Sequence, residues 1–201
     1  MLTVITGDIV NSRRIATSRW QPRLENILKQ YGRKTTDWEI FRGDSFQIRL
    51  TTERAMHAAI HIKAGIKQLP GLDVRMGIGA GDQDFKARKI TASTGSAFIR
   101  SGAAFDNLKK QTIIISTGNE KTDEAINLML SLALLTMNNW STTVALAITR
   151  HIENKDKSQL EIAAIMKKSQ SSVSEALKRG GFEEVKQMEL YCRKELSSLL
   201  K

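Results

Sequence analysis

"FRGDSFQIRL", residues 41–50, contains two short β-forming runs, 39–42 and 46–50, pinched around Gly43, Asp44 and Ser45. A Gly-Asp pair between apolar runs signals a tight hairpin. Such a tip can also present a carboxylate to a metal ion, so Asp44 is either a turn residue or a ligand.

Upstream, "LTVITGDIV" (2–10) is a nearly continuous apolar run rich in β-branched residues. It reads as a buried central strand that ends in polar groups, Asp8 and then Asn11-Ser12-Arg13-Arg14. Between strand and hairpin, 18–32 places Leu24, Ile27, Leu28 and Tyr31 at helical spacing, with Pro22 in the first turn and Gly32 as the stop. Downstream, 53–69 reads as a helix and 72–81 as a strand whose glycines permit close backbone approach. A helix over 95–110, a buried strand over 112–116 and a largely buried helix over 121–137 complete this part. The order β-α-β-β-α-β-α-β-α predicts an α+β fold with the split βαβ arrangement of ferredoxin-like palm domains.

From Trp140 onward the sequence contains four helical segments and no strand-like run. This predicts a boundary near Asn138-Asn139, with a palm domain over 1–138 and a small all-α domain over 139–201. Within the second part, "QLEIAAIMKKSQSSVSEALK" (159–178) has the pattern of a helix-turn-helix. Ile162, Ala163 and Met166 pack one helix; Val173 and Leu177 pack the next. Ser158 with Glu161 forms a capping box, and Ser169 caps the second helix. Lys167 stands where the turn usually has glycine, and Lys168 where it has an apolar residue. Both suit a phosphate backbone, while Gln170, Ser171, Ser172, Ser174 and Lys178 face outward as candidate contacts to double-stranded DNA. A plain helical bundle serving dimerisation is the competing reading. Val185, Met188, Cys192, Leu196 and Leu199 form one stripe, either core or dimer seam.

The 201 residues carry one cysteine, so no internal disulfide is expected. The longest apolar run, 125–137, falls short of the roughly 20 residues a membrane span needs. With no basic, apolar leader pattern, a cytoplasmic location is the expectation. The net charge of +10 suggests an anionic partner, although a solvated basic surface accounts for it equally well. Residues 1–140 hold 20 Lys and Arg against 13 Asp and Glu, so a DNA-binding tail alone does not explain the excess.

In a split βαβ sheet, the first strand and the hairpin are neighbours. Asp8 and Asp44 can then converge, and two carboxylates plus a backbone carbonyl suit Mg²⁺ or Mn²⁺ shared with substrate phosphates. "GDIV" (7–10) resembles the first metal motif of class III nucleotide cyclases, which implies metal contacts from the Asp8 side chain and the Ile9 carbonyl. "RGDSF" (42–46) resembles their second metal hairpin and the GGDEF motif of diguanylate cyclases. "VRMGIGAG" (74–81) and "GSAFIRSGA" (95–103) resemble the strand and glycine-led helix that follow. With the C-terminal "IAAIMKKSQSSVSEAL", the combination is similar to the SatD family, small bacterial proteins that join a cyclase-like domain to a winged-helix-type tail.

The chain departs from active cyclases at several places. Ile99 and Ala103 stand where the orienting Asn and the transition-state Arg belong, Ile40 replaces the base-selecting Lys, and Ser45 replaces the acid after the GGDEF Asp. Arg13, Arg14, Arg42, Ser45 and Arg100 are the candidate nucleotide-phosphate contacts. His57 and His61, four apart, could share a metal, but a surface pair is the simpler reading. The resulting expectation is a nucleotide- and metal-binding regulator that contacts DNA as a homodimer. The alternative is an active nucleotidyl cyclase or oligonucleotide synthase, with Asp8 and Asp44 catalytic and the tail serving assembly.

Overall fold

In the computed structural model, which describes residues 1–199, the first part runs β1 (Leu2–Val10), α1 (Thr17–Leu28), β2 (Trp38–Phe41), β3 (Ser45–Leu50), α2 (Ala55–Lys67), β4 (Asp73–Gly81), α3 (Ser96–Asp106), β5 (Ile113–Ser116) and α4 (Glu120–Met137). Four helices follow: α5 (Thr142–Glu153), α6 (Gln159–Met166), α7 (Gln170–Arg179) and α8 (Phe182–Ser198). Leu200, the expected end of the last helical segment, and Lys201 lie outside the described residues.

The fold is α+β, with one mixed five-stranded sheet in the order β2-β3-β1-β4-β5. β1 takes the centre, antiparallel to both β3 and β4, and β5 runs parallel to β4. The alternation of β4 explains how both sheet faces are covered. Val74, Met76 and Ile78 enter the main core with Ile62 and Ile66 of α2. Gly77 and Gly79 point the other way, and a Cβ at either would fall within 2.2 Å of an α3 backbone nitrogen. Side chains are absent there because α3 lies directly on the strand. The exposed edge beyond β5 is capped from α4, where Asn127 exchanges hydrogen bonds with both the N–H and the C=O of Ile115 at 2.9 and 2.8 Å.

The β2–β3 hairpin pairs Phe41 with Ser45 and turns through Arg42, Gly43 and Asp44. Arg42 and Gly43 have φ of 49° and 91°, consecutive left-handed residues as the twist of a tight hairpin demands. Glycine pays nothing for this and arginine does.

The helical part does not stand apart from the sheet. Trp140, Val144, Ala147 and Ile148 belong to the same buried cluster as Ile5 and Trp20. The Trp140 indole donates to the Gly180 carbonyl at 2.8 Å, pinning the α4–α5 connection to the α7–α8 turn. Beneath this joint, the fully buried Lys63 donates to Asp73 at 2.7 Å and to Thr112 at 3.1 Å. Lys67 donates to the same carboxylate and to the Asn138 carbonyl. Burial pushes the Lys63 ammonium down to about 8 against the pull of Asp73.

Local signals in the tail match the structure closely. Both halves of the Ser158–Glu161 box form, and the Ser169 hydroxyl accepts from the Ser172 N–H at 3.2 Å. Lys167 adopts φ 53°, the left-handed turn conformation, without the glycine that normally relieves it.

Three expectations need correction. Pro22 lies in the second turn of α1 rather than the first, because the helix starts at Thr17. α4 is buried on one side only, since among the described residues no element covers Leu128, Leu132 and Leu135, which are 60–70% exposed. His57 and His61 are not a surface pair: the Tyr31 hydroxyl lies 3.0 Å from Nδ1 of each ring, and His61 is fully buried. No helix among the described residues is long and apolar enough to cross a membrane.

Candidate functional site

The strand register brings the two acids together. Asp8 pairs with Ser45 across the β1–β3 ladder, so both project from the sheet face that carries α3, one residue beyond the hairpin tip. The Ile9 N–H donates to the Asp44 carbonyl at 3.3 Å and fastens that tip to the end of β1. Ile9 buries its side chain in the core and can offer the site only its backbone. Asn11 then turns in the left-handed region, with its side chain on the Gly71 carbonyl, and sends the chain into a 3-10 turn over Ser12–Arg14. Asp8, Asp44, Ser12, Arg13, Arg14 and Arg75 thereby line one open pocket of about 430 Å³.

Arg75 is the residue that sequence reading misses. It stands opposite Asp8 in the β1–β4 register and takes both carboxylate oxygens, with Nε at 3.0 Å from Oδ1 and Nη2 on Oδ2. Its guanidinium stacks over the Phe105 ring of α3, 5.6 Å from the centroid. The Asp8 hydrogen bond, with further pull from the Asp8 and Asp44 charges, raises Arg75 above the ordinary guanidinium range. Arg75 thus pairs directly with Asp8, and Asp44 acts on it only through its charge. The only sequence signal for it is "VRMGIGAG" running antiparallel to "GDIV", which aligns Arg75 with Asp8 once the register is known.

Asp44 accepts from the Ser12 hydroxyl through Oδ2. Three of the four carboxylate oxygens are therefore engaged. No group of three or more His, Cys, Asp or Glu is placed to hold a metal among the described residues. A divalent ion of the Mg²⁺ type fits this donor set on one condition. It needs few protein carboxylates and completes its shell with water and phosphate, but Arg75 must first turn away from Asp8.

Of the other phosphate candidates, Ser45 neighbours Asp8, and Arg42 is exposed at the hairpin tip outside the pocket lining. Arg100 is not brought to the site. It donates to the Ala80 carbonyl at 2.7 Å and packs against Gly118, at the opposite end of β4 from Arg75. Ile99 and Ala103 are exposed on α3.

In the tail, Lys167, Lys168, Gln170, Ser171, Ser172, Ser174 and Lys178 are all exposed. Gln170, Ser174 and Lys178 follow one another at four-residue spacing along one side of α7. The Ser171 and Ser172 hydroxyls are hydrogen-bonded to Ser169, so they also serve the cap.

Against this geometry, the sequence pattern of the SatD family matches residues 2–198, almost the whole chain. The chain belongs to the SatD family. No curated protein matches it. In this SatD-family protein, the acid pair and the exposed α6–α7 unit both lie within the matched residues.

Proposed function

We propose that this SatD-family protein is a DNA-binding regulator that senses a nucleotide through a divergent, nucleotide-cyclase-like palm. The observation that carries the reading is the meeting of Asp8 and Asp44 in one pocket with Arg13, Arg14 and Arg75. The split βαβ strand order supports the palm relationship. A nucleotide's phosphates compete with Asp8 for Arg75, and the exposed Arg13 and Arg14 add bidentate donors for the same oxygens. Asp8, Asp44 and the Ile9 carbonyl are the groups that would hold Mg²⁺ or Mn²⁺, which would neutralise phosphate charge.

The tail contacts double-stranded DNA as a dimer through a helix-turn-helix formed by α6 and α7. Lys167 and Lys168 meet phosphate, and Gln170, Ser174 and Lys178 face the groove. A contact route joins the two ends. Two residues before Arg75, Asp73 holds Lys67, and Lys67 holds the Asn138 carbonyl at the base of the tail.

The test is fluorescence anisotropy on duplex DNA, with and without each nucleoside triphosphate plus Mg²⁺. Binding above the non-specific level that shifts with one triphosphate supports the reading; none above that level overturns it. Arg75 also favours a second reading, nucleotidyl transfer at the same acids, because it supplies a cation where Ala103 supplies none. Pyrophosphate release abolished by Asp44→Asn is the mark of that activity.

A further inference from the structure

Leu128, Leu132 and Leu135 of α4 are 64, 60 and 70% exposed and follow one another at spacings of four and three. Extended in both directions, the same ridge includes Ala125 and Asn139, which are also exposed. The pattern is an a/d seam, a narrow apolar line suited to one partner helix rather than to a sheet or a broad core. The opposite side of α4 is already committed, with Ile126, Leu130, Leu134 and Met137 buried against the body of the protein. An exposed apolar ridge of this kind marks an interaction surface.

The seam matches itself. About Leu132, Leu128 and Leu135 fall at nearly equal distances, so an antiparallel copy sets leucine against leucine throughout. The charges select that direction. Glu120, Asp123 and Glu124 crowd the N-terminal end of α4, and a parallel pair would stack these acids on one another. At the C-terminal end, Lys178 and Arg179 share a groove with Leu132, Thr136 and Glu184. Arg179, 3.5 Å from Glu175 and 60% exposed, is the cation of this groove not assigned to DNA, and it meets a partner's acids.

We propose that α4 is the self-association helix of this protein, pairing antiparallel with α4 of a second copy about a two-fold axis at Leu132. The inference rests on the dimeric reading of the tail only for its effect on DNA binding. Self-association itself is measured without DNA.

Sedimentation velocity of the full chain should show a species of twice the 22.5 kDa chain mass. Leu132→Glu and, separately, Leu135→Lys should weaken association more than tenfold while the circular dichroism spectrum stays unchanged, because both side chains are exposed within one chain. Under mild oxidation, Leu132→Cys should cross-link to itself, whereas Leu128→Cys should cross-link only when mixed with Leu135→Cys. A wild-type monomer at tens of micromolar, a Leu132→Glu dimer of undiminished strength, or self-cross-linking of Leu128→Cys alone overturns the proposal. A wild-type monomer that still binds duplex sinks the seam and spares the DNA reading. A dimer that binds no duplex does the reverse.

Discussion

Arg75 stands directly across the β1–β4 ladder from Asp8 and closes on both oxygens of its carboxylate. The pair is a latch over the acid site: while it is shut, the guanidinium occupies both Asp8 oxygens and its charge opposes a metal ion there. Opening it needs a better ligand for the guanidinium, and a phosphate is one. Replacing Arg75 by Gln should therefore raise Mn²⁺ affinity in the absence of nucleotide by about tenfold, the effect of removing a local positive charge at about 1.4 kcal/mol. Stability should change by less than about 1 kcal/mol, since the arginine side chain is 44% exposed. Mn²⁺ titration followed by electron paramagnetic resonance checks the first expectation, and urea unfolding the second.

Lys167 offers a test in which stability and function move oppositely. Its left-handed conformation, φ 53°, costs a non-glycine residue about 1 kcal/mol. Lys167→Gly should stabilise the fold by up to roughly that amount. If Lys167 meets a DNA phosphate, the same change should weaken duplex binding and lower its salt dependence by about one unit of log–log slope. Paired melting and anisotropy measurements read both effects.

Two glycines separate packing from propensity. A Cβ at Gly79 would sit 2.2 Å from the Ser101 backbone nitrogen and 2.3 Å from the Ala97 carbonyl oxygen, so Gly79→Ala must lift α3 off β4. The expected cost is about 2–3 kcal/mol, the range for overpacking against rigid neighbours. Gly102 lies within α3 with open space around its would-be Cβ. Gly102→Ala should instead stabilise by about 0.5–1 kcal/mol. Denaturant midpoints of the two variants should move in opposite directions.

Burial, with the positive charges of His61, Arg193, Arg54 and Lys155 adding to it, pushes His57 down to about 4. Its unfolded value is near 6.5, so between those values the unfolded chain binds more protons than the folded one. Stability contributed by this site is complete above pH 6.5 and falls as pH drops toward 4. Glu153 and Asp37, both held below the usual carboxylate range, lose their contributions in the same direction at lower pH. A Tm profile from pH 7 to 4.5 should decline, and His57→Gln should flatten the part between about pH 6.5 and 5.

Where a signal is local, the sequence carries it. The β1 run, the Gly43-Asp44 hairpin, the Ser158–Glu161 box and the Ser169 cap each depend on a few adjacent residues, and each forms as read. What depends on distant partners is not legible. Nothing near Arg75 says that it faces Asp8; the ladder register does. Arg100 looks close to the site only if helix position is taken as side-chain position, whereas its guanidinium is drawn to the Ala80 carbonyl at the far end of β4. The leucines of α4 carry the apolar character of a buried helix, but burial requires a covering element, and among the described residues Leu128, Leu132 and Leu135 have none. His57 and His61 read as a surface pair because the helix is seen without Tyr31, which α1 and its following turn deliver from 26 and 30 residues away.

The central claim is that Asp8, Asp44 and Arg75 form a nucleotide-phosphate site dependent on a divalent cation. Isothermal titration of each nucleoside triphosphate with Mg²⁺ into wild type and Asp44→Asn tests it most directly. Wild type should bind at least one triphosphate saturably, with binding weakened more than tenfold in Asp44→Asn and strongly reduced when Mg²⁺ is removed with chelator. Equal binding by both proteins, or no binding of any triphosphate to wild type, would contradict it.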